Sequence, residues 1–174
     1  MLELHQAKYA GLSNVIETIT LQYKEKMWHQ LSFELITYAK DKAFDATENT
    51  DLLELYEEMV KGLSSKLNPI RYAIVTILVS RQHKDIEQSI TFLDEASTRL
   101  DGKRDAQFLC RIAQAEKKLN LGQHHDCLQI LNEVKEKIES QSDIDPKVIA
   151  SLAENFAAYW RRKEDQENFY KSSL

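Results

Sequence analysis

Glycine and proline are scarce in this sequence, at 4 and 2 of 174 residues. Strand-rich folds use those residues to turn every few positions, so their scarcity argues against a β architecture. Cysteine is equally sparse: Cys110 and Cys127 are the whole complement, too few for the disulfide framework of a small secreted domain. A bridge between them and a pair of free thiols both stay open. Buried free thiols acting as small hydrophobes fit better, because nothing marks an oxidising compartment. Long hydrophobic runs are also missing. The longest, Tyr72 to Val79, lies between Arg71 and Arg81 and falls far short of the roughly twenty residues a bilayer span needs. The opening residues Met1-Leu2-Glu3-Leu4-His5-Gln6 have neither the basic start nor the apolar block of a signal peptide. Positive charge is not in excess either. The net charge is −5, with Lys and Arg interspersed among acids, which leaves no basic stripe for a nucleic-acid backbone. Neither nucleic acid nor membrane is therefore expected as a partner, and the expected location is cytoplasm and nucleus.

What the sequence does have is helix-forming composition and helical period. Hydrophobic residues make up 43% and charged residues 29%, a balance that supports a packed core under a solvated surface. Apolar residues recur three and four apart from end to end. Leu12, Val15, Ile16, Ile19 and Tyr23 mark a first helix, and Trp28, Leu31, Leu35 and Tyr38 a second, after a break near Lys26. Beyond a polar segment, Asp45 to Thr50, come Leu52, Leu55, Tyr56, Met59, Val60 and Leu63. Gly62 lies inside that third pattern although it costs roughly 1 kcal/mol against Ala. Asn68-Pro69 is a cap followed by proline at the first helical position, where the missing N–H does no harm. The helix it opens, with Ile70, Ala73, Ile74, Ile77 and Leu78, is apolar around much of its circumference and is expected to be the most buried.

Lys84-Asp85 starts a fifth helix with Ile86, Ile90, Leu93, Ala96 and Leu100 on one face, stopped by Gly102. Phe108, Leu109, Ile112, Ala115 and Leu119 mark a sixth, ending at Gly122, and Cys127, Ile130, Leu131, Val134 and Ile138 a seventh. Asp145-Pro146 opens an eighth with Ile149, Leu152, Phe156 and Tyr159, expected to end in the cationic run Trp160-Arg161-Arg162-Lys163. A last segment, Glu164 to Leu174, carries Phe169, Tyr170 and Leu174. Short connections make successive helices antiparallel hairpins. Ser89, Leu93 and Ala96 reappear as Cys127, Leu131 and Val134, 38 residues later. Leu31, Leu35 and Tyr38 stand at the same offsets from Lys26. Hairpins of that period bury their apolar sides by stacking. The expected fold is all-α: a right-handed α-solenoid of stacked antiparallel hairpins, like tetratricopeptide or HEAT repeats, of eight to nine helices.

Chemistry is thin. His124-His125-Asp126-Cys127 is the one dense cluster of potential ligands, and all-helical metal-dependent phosphohydrolases do use an adjacent His-Asp pair. Neighbours on a helix project about 100° apart, however, so the four do not converge on one metal. Asp126 complementing the helix dipole beside two solvated histidines is the plainer reading. His29 next to Trp28 reads as a polar surface residue beside a core anchor. No serine has a Gly-rich elbow and no glycine loop cradles phosphate. Glu57-Glu58 and Glu133 with Glu136 read as solvated helix faces. No catalytic residue, cofactor or metal ligand is expected.

Several segments carry a resemblance. Tyr23 with Lys26-Met27-Trp28-His29-Gln30-Leu31 resembles the "Y-x-x-K-x-W-x-Q-L" start of the family of non-ATPase regulatory subunit 13 of the 26S proteasome, which are PCI-domain subunits of the lid. Leu55-Tyr56, Lys66-Leu67-Asn68, Val79-Ser80-Arg81-Gln82, Phe92-Leu93, Leu119 to Gly122, Asp143-Ile144-Asp145-Pro146 and Phe169-Tyr170-Lys171-Ser172 look like the same family, in the same order. None is a chemical motif; the matches spread over most of the chain.

The resemblance implies one N-terminal helical-repeat domain over residues 1–174. A winged-helix PCI module follows in the family, and the resemblance leads one to expect a truncated chain that lacks it. It implies a scaffold role in the lid, serving ubiquitin-dependent degradation by protein contacts. The implied partners are other lid subunits and the von Willebrand-type ubiquitin-receptor subunit. A tetratricopeptide-type peptide-binding module, or a PCI subunit of a sister complex (the signalosome or the initiation-factor scaffold), is the alternative, and a phosphohydrolase centred on His125 and Asp126 the last. For partner contact the candidates are Trp160, Arg161, Arg162, Phe169 and Tyr170, because Trp and Arg are over-represented at interfaces. Against that stands the plainer use of cations in a last helical turn, which complement its exposed carbonyls.

Overall fold

The computed structural model describes residues 2–41 and 49–172, with side chains described for 13–41 and 49–165. Among these residues there are eight helices and no strand: α1 (Leu2–Lys24), α2 (Trp28–Lys40), α3 (Thr50–Leu63), α4 (Pro69–Ser80), α5 (Ile86–Arg99), α6 (Arg104–Asn120), α7 (His124–Glu139) and α8 (Pro146–Ser172). The all-α expectation holds. The chain divides into two compact units, Met1–Arg99 and Leu100–Leu174.

In the first unit α4 is the hub, packed against α2, α3 and α5, while α1 pairs with α2. Its interior is built from Val15, Ile19, Leu31, Leu35, Leu52, Tyr56, Val60, Leu63, Tyr72, Val75 and Leu93, all essentially inaccessible. Each such aliphatic side chain contributes about 1.5–3 kcal/mol by leaving water. Polar ties set the spacing of the helices. Arg71 on α4 donates from Nε to Ser32 Oγ on α2 at 2.7 Å. Gln82 donates to the Ala39 carbonyl at 2.9 Å, and the Ser89 hydroxyl to the Ser80 carbonyl at 2.6 Å. In the second unit α6, α7 and α8 pack against one another around Leu109, Ile112, Leu119, Cys127, Leu131, Val134, Val148 and Leu152.

The predicted punctuation is where the sequence put it. Asn68 accepts the Ile70 N–H with Pro69 at the first turn; at α3, for which the sequence pattern named no cap, Asn49 accepts the Leu52 N–H. At the α6 end Gly122 has φ +75°; its N–H donates to the Leu119 carbonyl and the next N–H, of Gln123, to Lys118. That pair of bonds is a Schellman closure, which needs a left-handed residue. The break near Lys26 is the same device: Lys26 (φ +57°) donates to Tyr23 and Met27 to Gln22. The repeat positions also hold. Ser89, Leu93, Ala96, Cys127, Leu131 and Val134 are all buried, as are Leu31 and Leu35, whereas Tyr38, the third residue of that set, is half-buried.

Three expectations are corrected. The most buried helix is α6, with ten buried residues to six on α4. On α4 the inward side chains are Tyr72, Ala73, Val75, Thr76 and Val79, while Ile70, Ile74, Ile77 and Leu78 are half-exposed. Apolar residues around the whole circumference do not say which side turns inward. Secondly, no helix ends at Trp160-Arg161-Arg162-Lys163. α8 continues through the run to Ser172, because no Gly, Pro or capping residue interrupts it and charged side chains are good helix formers. The cations therefore complement no α8 terminus. Finally, Ile149 does not share the inward face with Leu152 and Tyr159; it is 52% exposed, and Val148 is buried in its place.

Candidate interaction surface

The start of α8 is fastened to α6 by a small charged network. Asp105, in the first turn of α6, accepts the Asp145 N–H at 2.8 Å through Oδ2 and Arg104 Nε at 2.7 Å through Oδ1. Arg104 also donates to the Asp143 carbonyl at 3.2 Å. Asp143 itself takes φ +63°, a left-handed turn before the helix. Burial opposes ionisation of Asp105, but the hydrogen bond from Arg104, the Asp145 N–H and the Arg104 charge outweigh it and hold the carboxyl below its ordinary value. Asp145 then caps α8 by accepting the Lys147 N–H at 2.8 Å.

Sixteen residues after Pro146, α8 is fastened again, and here a predicted contact residue has another task. Arg162 reaches back to the α6 C-terminus, donating to the Leu119 carbonyl at 2.9 Å and to Asn120 Oδ1 at 2.8 Å. A cation at that terminus satisfies a carbonyl of the last turn and complements the dipole of α6. Arg162 thus acts on a helix end as its charge suggested, but on the end of a different helix. Its role was invisible in the sequence, since nothing in the local pattern links positions 43 residues apart.

Trp160 and Arg161 face outward. Trp160 is 52% exposed, with the Tyr159 ring edge-on at 5.1 Å and Lys163 Nζ 5.1 Å from its ring centroid. Arg161 is exposed and donates to the Ala157 carbonyl of its own helix at 3.3 Å. The Phe169 and Tyr170 side chains, and Leu174, lie outside the described residues. On the same outer side as Trp160 lie Ile149, also 52% exposed, and the exposed residues Pro146, Ala150, Ala153 and Ala157.

The histidine cluster is dispersed. His124 packs edge-on against Tyr159 at 6.1 Å. His125 lines a shallow depression along α7 with Leu128, Gln129, Asn132, Glu133 and Glu136. Cys127 is buried. Among the described residues no group of three His, Cys, Asp or Glu is placed to hold a metal ion, and no helix is long and apolar enough to cross a membrane. Cys127 and Cys110 are both free and buried, and burial pushes their thiols up to about 11 and about 12; at Cys127 the Arg162 charge works in the opposite direction. Thiols so raised are poor nucleophiles. Glu133 is held below its ordinary value, first by the Gln129 amide and, against burial, by Arg111 at 3.4 Å. On the first unit, Glu57 lies 3.2 Å from His83 Nε2 and 3.6 Å from Lys61 Nζ, tying α3 to the turn between α4 and α5.

Residues 15–174 match the family described as PSD13 N-terminal repeats. The chain is 27% identical to 26S proteasome non-ATPase regulatory subunit 13 homolog A of Arabidopsis thaliana, over 87% of the chain and 40% of that protein. It is 25% identical to homolog B of the same plant, over 99% of the chain and 46% of that protein. To 26S proteasome non-ATPase regulatory subunit 13 of Dictyostelium discoideum the identity is 27%, over 94% and 42%. The chain thus spans less than half the length of these curated relatives.

Proposed function

As the chain belongs to the family of PSD13 N-terminal repeats, we propose that it is a structural element of the lid of the 26S proteasome regulatory particle. In that role it contributes to ubiquitin-dependent protein degradation by protein–protein contact and catalyses no reaction itself. The family match over residues 15–174 carries this reading, and the relatives' names supply the assembly. The physical character of the chain supports it. Hairpins packed around apolar interiors give a stiff surface at little loop-closure cost, which suits holding neighbours in place. The thiols are buried and raised, and among the described residues no three His, Cys, Asp or Glu side chains gather around one point.

The proposed partners are other lid subunits and the von Willebrand-type ubiquitin-receptor subunit, in cytoplasm and nucleus, with no cofactor. For the contact surface we retain Trp160 and Arg161, with Phe169 and Tyr170 further along α8. Arg162 is engaged with the end of α6 and is withdrawn as a direct contact. The test is affinity purification of the tagged chain from lysate, followed by identification of what co-purifies. Stoichiometric lid subunits are expected; recovery of signalosome subunits alone would overturn the assignment to the proteasome.

A further inference from the structure

The loop between α7 and α8 holds a serine set among acids. Glu139, Ser140, Gln141, Ser142 and Asp143 are all exposed. The run Ser142-Asp143-Ile144-Asp145 places carboxylates one and three residues beyond the Ser142 hydroxyl. Four other hydroxyls have an acid three residues on: Thr91, Thr98, Ser140 and Ser151. Thr91, Thr98 and Ser151 stand inside helices, where the closed backbone does not fit the extended groove of a modifying enzyme. Thr91 and Thr98 also donate to the Glu87 and Asp94 carbonyls at 3.0 Å, and Ser140 donates to the Lys137 carbonyl at 2.9 Å. Among the described residues, Ser142 alone of the five lies outside a helix with a hydroxyl that makes no hydrogen bond.

A phosphoryl group at Ser142 has a cation to receive it. Arg104 holds the Asp143 carbonyl, one residue on, at 3.2 Å and the Asp105 carboxylate at 2.7 Å. These bonds use two of the five N–H donors of its guanidinium, and its side chain is 42% exposed. Phosphoserine carries about −1.5 to −2 charges at neutral pH, with three strong acceptor oxygens that suit such a fork. Glu139, Asp143, Asp145 and Asp105 around the loop oppose that charge. The arginine therefore decides the sign of the effect.

We propose that Ser142 is the phosphoacceptor of an acid-directed serine kinase, whose basic groove reads Asp143 and Asp145, and that Arg104 receives the phosphate. In the transfer the Ser142 oxygen bonds to the γ-phosphorus of ATP and the bond from that phosphorus to the β–γ bridging oxygen breaks. ADP leaves, and the hydroxyl proton passes to the base of the kinase.

The test uses the intact chain with casein kinase 2 and ATP, and maps the product by mass spectrometry. Ser142 is expected to be the first hydroxyl modified, and Ser142→Ala to lose that incorporation. Asp143→Asn and Asp145→Asn remove charge and keep the geometry, because asparagine tolerates the left-handed turn and caps a helix as aspartate does. Together they should slow modification by about fivefold or more with helicity unchanged. Protein kinase A, which is base-directed, should leave Ser142 untouched. Hydrogen exchange then reads the arginine. The phosphate should slow exchange about threefold over residues 143–147 in the wild type and quicken it in Arg104→Gln. Another hydroxyl modified first, no modification of the folded chain, equal use of Ser142 by protein kinase A, or a rate indifferent to the two asparagines would overturn the phosphoacceptor. Exchange that responds alike with and without Arg104 would overturn the part given to the arginine.

Discussion

The ring of Tyr23 lies over Gly62 so closely that a β-carbon there would meet its Cε2 and Oη at 2.6 Å. Tyr23 is in turn held edge-on against Trp28 at 5.6 Å. The glycine in the last turn of α3 is therefore a contact surface for an aromatic from the end of α1.

Two effects of opposite sign meet at that position. Alanine would gain roughly 1 kcal/mol of helix propensity but must displace the ring and its contact with Trp28, at a cost of about 1–3 kcal/mol. Gly62→Ala is expected to lower stability by about 1 kcal/mol in urea unfolding. In a Tyr23→Ala background the same change should raise it. A stabilising effect in both backgrounds would show that the ring moves aside freely.

The two Schellman turns give a matched pair. Lys26 and Gly122 hold equivalent left-handed positions, where a side chain costs about 1–2 kcal/mol relative to glycine. Lys26→Gly should stabilise the protein by about 0.5–1 kcal/mol and Gly122→Ala destabilise it by about 1 kcal/mol. Chemical denaturation of both variants checks the signs, and a destabilising Lys26→Gly would contradict the turn geometry.

Removing Arg162 strands the Leu119 carbonyl and Asn120. Arg162→Met, which keeps the aliphatic stem, should cost about 1–2 kcal/mol, reduced from the full value of a charged hydrogen bond by partial exposure. Hydrogen exchange should quicken first at the C-terminal turn of α6. Unchanged exchange there would show the contact to be idle.

Asp105 makes a prediction about acid. Its folded pKa lies below the ordinary 3.8, so its ionised form is favoured by folding. The stabilisation is therefore present above that ordinary value and is lost as pH falls through the lower, folded one. Unfolding midpoints measured from neutral pH downward should show wild type ahead of Asp105→Asn near neutrality, with the gap closing below about pH 4. A gap independent of pH would rule out the ionised carboxylate as its source.

The thiols should be silent while the protein is folded. Cys110 and Cys127 are buried and raised to about 12 and about 11, so a thiol reagent at pH 8 should label neither in buffer and both in denaturant. Fast labelling of the native protein would place one of them at the surface.

How much was legible follows from the range of each signal. Caps and stops are local: Asn68-Pro69, Asp145-Pro146 and Gly122 act through backbone groups a few residues away, and each was read correctly. The buried repeat positions from Ser89 to Val134 were legible because a one-sided helix has one period. α8 defeated the same method. Its inner and outer apolar faces overlap in sequence, so Ile149 was assigned inward, and its charged run looked like an end when the helix simply continued. Arg162, a contact candidate because arginine is common at interfaces, braces the end of α6 instead.

Taken alone, the order of residues determined that the chain is helical, where most helices begin, and which family it resembles, since those depend on propensity, periodicity and short-range hydrogen bonds. Tertiary structure decided what each helix shows to the outside. Whether Tyr23 finds Gly62, whether Arg162 reaches Leu119, and which of two apolar sides of α8 is covered depend on contacts across tens of residues. Those distances are set only when the helices pack.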